Sequence, residues 1–70
     1  MSFVIEIASV PDRDCVVAEI WWNDDMVAEL YRNEHGSFQL EIYARNSGEP
    51  WSFELESWLV ALTQAQQRLG

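Results

Sequence analysis

A chain of 70 residues and 8.1 kDa has room for one hydrophobic core in one small domain and none for a separate catalytic lobe. Twelve carboxylates stand against four arginines, with no lysine and one histidine, for a net charge of −8. That balance excludes the basic face that direct binding to nucleic acid or to an anionic membrane surface requires, and it favours cationic partners.

The opening residues, MSFVIEIASV, carry Glu6 inside their apolar run and no basic n-region, so no secretion signal is expected. From Phe3 to Arg45 apolar and polar residues alternate with period two, and turn-forming residues interrupt the alternation at short intervals. This is the pattern of an antiparallel meander. Strands are predicted near residues 2–10, 15–22, 26–33 and 37–45, separated by Pro11-Asp12-Arg13-Asp14, Asn23-Asp24-Asp25 and Glu34-His35-Gly36. The last is a three-residue hairpin loop in which Gly36 takes the left-handed conformation.

Asn46-Ser47-Gly48-Glu49-Pro50 breaks the pattern, and residues 51–55 alternate again as a short fifth strand. After Glu56 the period changes: Trp58, Leu59, Leu62, Ala65 and Leu69 fall on one helical face, with Gly70 as a stop. The predicted fold is therefore α+β, a four- to five-stranded antiparallel β-meander with one C-terminal α-helix packed on one face, forming a single domain over residues 1–70. Parity assigns Phe3, Ile5, Ile7, Ala18, Ile20, Trp22, Met26, Ala28, Leu30, Phe38, Leu40 and Ile42 to the face under the helix.

Aligning the strands reveals an internal echo, Ile5-Glu6-Ile7, Ala18-Glu19-Ile20, Ala28-Glu29-Leu30 and Leu40-Glu41-Ile42. Each strand carries one central glutamate. With the loops closed as above, Glu6 faces Glu19, Glu19 faces Glu29 and Glu29 faces Glu41, all pointing away from the helix, and Glu54 extends the row if the fifth strand pairs. Strands ~4.8 Å apart make this a row of about 14 Å. Directly opposed like charges destabilise a sheet, so folding alone does not ask for the row. The same register puts Val4, Trp21, Val27 and Tyr43 along one flank and Ala8, Val17, Tyr31 and Gln39 along the other. Acidic and aromatic stripes side by side form the kind of surface that gives an interface both contact area and specificity. Glu6, Glu19, Glu29, Glu41, Trp21, Tyr31 and Tyr43 are the candidate partner-binding residues, with Trp21 as the anchor.

Catalytic and metal motifs are not evident. His35, the one histidine, falls in a loop beside Glu34; Cys15, the one cysteine, begins a strand without a matched histidine and has no cysteine to pair with. Asp24-Asp25 and Asp12-Arg13-Asp14 are turn residues without the spaced oxygens of a calcium loop. No cofactor is expected. No apolar stretch reaches the ~18 residues of a membrane span, so a reducing cytoplasm is the expected compartment.

In size and acidity the chain resembles immunity proteins against nuclease toxins and phage-encoded anti-CRISPR or anti-restriction proteins that mimic nucleic acid. That likeness implies a non-enzymatic inhibitor, in a bacterial or phage setting, that blocks a basic protein such as a nucleic-acid-binding one. Over ~14 Å a single strand presents roughly four phosphates, the density of the row, so duplex mimicry would need the acidic turns as well. The alternative is a homo-oligomeric structural or accessory protein, a homodimer at its simplest, that self-associates through the sheet. Apposing two such faces brings glutamate rows together, with only Arg45 on that face by parity, so an edge strand is the better route for self-association.

Overall fold

The computed structural model describes residues 3–10 and 15–70. Four strands, β1 (Phe3–Val10), β2 (Cys15–Trp22), β3 (Asp25–Arg32) and β4 (Phe38–Ile42), form one antiparallel sheet in the order β1-β2-β3-β4, and α1 (Leu55–Leu69) follows. The α+β meander with one C-terminal helix is thus observed. The expected turn at residues 11–14 and the expected strand start at Ser2 lie outside the described residues.

Every glutamate pairing expected from the loops is present, with Glu6 opposite Glu19, Glu19 opposite Glu29 and Glu29 opposite Glu41. One local correction lies between the Glu19–Glu29 pair and the turn that joins β2 to β3. The connection from β2 to β3 is a two-residue turn, Asn23-Asp24, not three residues, with Asn23 at φ 56°, a left-handed conformation that asparagine tolerates. The residue saved in the turn reappears as a bulge, because the register shifts at Ile20/Trp21. Trp21 therefore faces Met26, and Val27 turns into the core at 1% exposure. Parity alone put Met26 under the helix and Val27 on the outer flank; the bulge exchanges them.

The loop from β3 to β4 forms as expected. Asn33 N–H donates to the Ser37 carbonyl at 2.8 Å, Gly36 N–H donates to the Asn33 carbonyl at 2.9 Å, and Gly36 sits at φ 81°. Asn33 Oδ1 also accepts the amides of His35 and Ser37, at 2.9 and 3.1 Å.

Residues 51–54 do not pair as a fifth strand. Their alternation comes from packing: Trp51 and Phe53 both turn to the helix side, where Phe53 stacks on Trp58 at 5.7 Å and meets Phe3 edge-on at 4.8 Å. Trp51 is held by its indole N–H donating to the Tyr43 carbonyl at 2.8 Å. Glu54 becomes the N-cap position of α1 and accepts from the Ser57 hydroxyl at 3.2 Å, so it does not extend the row.

The helix begins at Leu55, earlier than the period change suggests, and ends at Gly70 with φ 84°. Ala61 and Ala65, not Leu59, are its most buried residues, and they lie on Ile5, Ala18, Ile20, Ala28 and Leu30. Alanine on both sides of the contact lets the backbones of helix and sheet approach closely. Phe3, Trp22, Phe38, Leu40, Trp58 and Leu62 pack around this centre. The helix covers β1, β2 and β3 and does not reach β4. Ile42, expected under the helix, is consequently 59% exposed, and Ile7 on β1 is exposed as well.

Candidate interaction face

Among the described residues no second layer lies on the face of the sheet away from α1, and the four glutamates cross that face in register. At ~4.8 Å per strand the row spans about 14 Å. Its two flanks differ. On one side Val4 pairs with Trp21 and Trp21 with Met26, and Tyr43 follows just beyond β4, its amide donating to the Val27 carbonyl at 2.9 Å. On the other side Ala8 pairs with Val17 and Tyr31 with Gln39.

Both flanks reach into the row. Trp21 Nε1 donates to Glu19 Oε1 at 3.2 Å, and the Tyr31 hydroxyl donates to Glu41 Oε1 at 2.6 Å. An N–H or O–H aimed at a carboxylate fixes its orientation. Tyr31 and Val17 are themselves buried, although neither belongs to the core under the helix. Tyr31 thus acts mainly by holding Glu41, whereas Trp21 and Tyr43 keep surface for contact, with Val4 half exposed beside them. A shallow hollow at this end is lined by Val4, Glu6, Trp21, Asn23 and Asp24. Asn23 and Asp24 were not among the residues singled out from sequence; they join the face because the two-residue turn folds them beside Trp21.

Among the described residues the arginines lie elsewhere. Arg32 donates to the carbonyls of Gly36 at 2.9 Å and Gly70 at 3.2 Å, and its guanidinium sits 4.2 Å over the Phe38 ring. Arg45, expected on the outer face by alternation, lies beyond the end of β4; it donates to the Pro50 carbonyl at 3.4 Å and sits 5.2 Å over Trp51. Arg68 donates to the Ile5 carbonyl. All three spend their donors on backbone carbonyls at the helix side or the rim. These three cationic groups are in this way kept off the glutamate row.

His35 is an exposed loop residue whose Nε2 is 3.8 Å from Glu34 Oε1. Among the described residues no group of three or more His, Cys, Asp or Glu gathers to hold a metal ion. Among the described residues no helix is long and apolar enough to cross a membrane. Compared with family models, curated proteins and solved structures, the chain matches none.

Proposed function

We propose that this is a small acidic, non-enzymatic binding protein that takes a basic protein partner on the open sheet face and inhibits it by covering its cationic surface, in the cytoplasm. The observation that carries this reading is the alignment of Glu6, Glu19, Glu29 and Glu41 across all four strands on the face away from the helix. Opposed like charges cost a sheet some tenths of a kcal/mol per pair, and a cationic partner removes that cost on binding. Trp21 and Tyr43 supply contact area beside the charges, in keeping with the enrichment of aromatic residues in interface cores. Glu19 and Glu41, oriented by Trp21 and Tyr31, are preset to receive guanidinium or ammonium groups.

The test is capture at low ionic strength on the immobilised chain, run in parallel with the Glu19→Gln/Glu29→Gln variant. A specific basic protein should be retained by the wild-type chain, released by salt, lost on the variant and displaced by a polyanion if its nucleic-acid site is covered. Equal retention on both chains overturns the assignment of this face.

A further inference from the structure

The two edges of the sheet are finished differently. Because the Tyr43 amide donates across to Val27, Gln39, Glu41 and Tyr43 turn their backbone groups toward β3, and Leu40 and Ile42 turn theirs to the open edge. The same alternation carried across the sheet leaves the Ile5 carbonyl at the open edge of β1. There Arg68, from the last turn of α1, donates Nη1 to it. A guanidinium seated on an edge carbonyl obstructs the addition of another strand. Among the described residues no side chain closes β4 in this way. The helix also stops short of β4, leaving Ile42 at 59% and Leu55, which lines a hollow with it, at 67% exposure. An open edge bordered by exposed aliphatic side chains is a template for strand pairing.

We propose that a second copy of this chain pairs antiparallel along β4 about a two-fold axis at Leu40, joining the two sheets edge to edge. Each copy carries a net charge of −8, and the distribution of that charge makes β4 the place where two copies meet with least repulsion. The outer faces of two copies repel through their glutamate rows and the β1 edge is guarded, whereas β4 is flanked by Arg32 over Phe38 and Arg45 over Trp51. Pairing of outward backbone groups restricts the axis to Gln39, Leu40 or Glu41. An axis at Glu41 sets that carboxylate against its own copy, and one at Gln39 leaves Ile42 unpaired. With the axis at Leu40, Gln39 faces the partner's Glu41, and Phe38 faces the partner's Ile42. The two Glu41 side chains are then diagonal neighbours, about 7–8 Å apart, where repulsion is weaker. Such an axis stands normal to the sheet, so both acidic faces point the same way and stay open. The inference therefore does not depend on the function proposed for that face.

A short edge with a few flanking side chains buries less than the ~1,200 Å² of a standard interface, so dissociation in the micromolar range is expected. The experiment is sedimentation equilibrium of the whole chain from about 10 µM to about 1 mM, with amide exchange followed by NMR over the same range. The mass should rise from 8.1 kDa toward its double. The Leu40 and Ile42 amides should slow at least about tenfold while those of Ile5 and Ile7 do not. Ile42→Lys alters an exposed side chain and should leave a folded monomer; a synthetic chain N-methylated at Leu40, which removes only the outward N–H, should behave alike. A mass of 8.1 kDa throughout, a dimer whose Leu40 and Ile42 amides exchange as in the monomer, or a dimer unaffected by both changes overturns the proposal.

Discussion

Glu19 and Glu29 face one another across β2 and β3 at a position where their backbones do not hydrogen-bond to each other, the arrangement that brings opposite side chains closest, with Cα atoms ~4.5 Å apart. Glu29 has Glu41 on its other side. With Glu19, which has Glu6 on its other side, it is one of the two most crowded charges of the row. Glu29→Gln keeps the shape and removes the charge, so it should stabilise the free domain by roughly 0.5 kcal/mol at neutral pH and low salt. At ~1 M salt, where screening acts within ~3 Å, most of that gain should vanish. Urea midpoints at the two salt concentrations measure both effects, and a variant less stable than wild type at low salt would show that the row does not strain the sheet.

Trp21 is anchored to the face by one hydrogen bond to Glu19 and by its neighbours Val4 and Met26, and it takes no part in the core under the helix. Trp21→Ala should change the urea midpoint by no more than about 1 kcal/mol equivalent and speed dissociation of a bound partner about thirtyfold, the equivalent of ~2 kcal/mol at a hot spot. Loss of the folded state on this substitution would place Trp21 in the structural core instead.

The bulge makes opposite forecasts for two adjacent residues. Val27 is buried and Met26 lies on the outer face beside Trp21. Val27→Ala should cost about 2 kcal/mol in unfolding free energy, and Met26→Ala well under ~1 kcal/mol. Simple alternation requires the reverse order, so the pair of urea curves decides between a bulged and an unbroken β3.

Gly36 turns the loop between β3 and β4 at φ 81° with open space where a Cβ would stand. Gly36→Ala meets no neighbour and costs only the left-handed backbone, about 1 kcal/mol by thermal or urea unfolding. Gly36→Asn should lose less, because asparagine adopts that conformation more readily. A loss well beyond ~2 kcal/mol would mean that the loop bears on something other than its own backbone.

The glutamate register was legible from sequence because period-two alternation fixes the side of every residue in an unbroken strand, and a one-residue slip would expose Ile5, Ile20 or Leu30. The exchange of Met26 and Val27 was not. A three-residue turn and a two-residue turn followed by a bulge give identical pairing at Glu19 and Glu29, and they differ only in the residues between. The fifth strand failed for a related reason: Trp51 and Phe53 alternate because both pack on the aromatic cluster around Phe3 and Trp58, a tertiary cause that a local pattern does not distinguish from pairing. The exposure of Ile42 depends on how far α1 reaches across the sheet, which helical periodicity does not encode. The segregation of Arg32, Arg45 and Arg68 onto backbone carbonyls has no signature in spacing at all.

The central claim is that the carboxylates of the outer face steer and hold a cationic partner. The measurement that bears on it most directly is the association rate of the captured partner with the wild-type chain and with Glu29→Gln, followed by stopped flow across ionic strength. Attraction between opposite charges is screened beyond ~8 Å at physiological salt and beyond ~3 Å at 1 M. The wild-type rate should therefore fall at least about tenfold from low to high salt, with a shallower fall and weaker binding for the variant. An association rate that is flat across ionic strength, or a Glu29→Gln chain that binds as tightly as wild type, would contradict the claim.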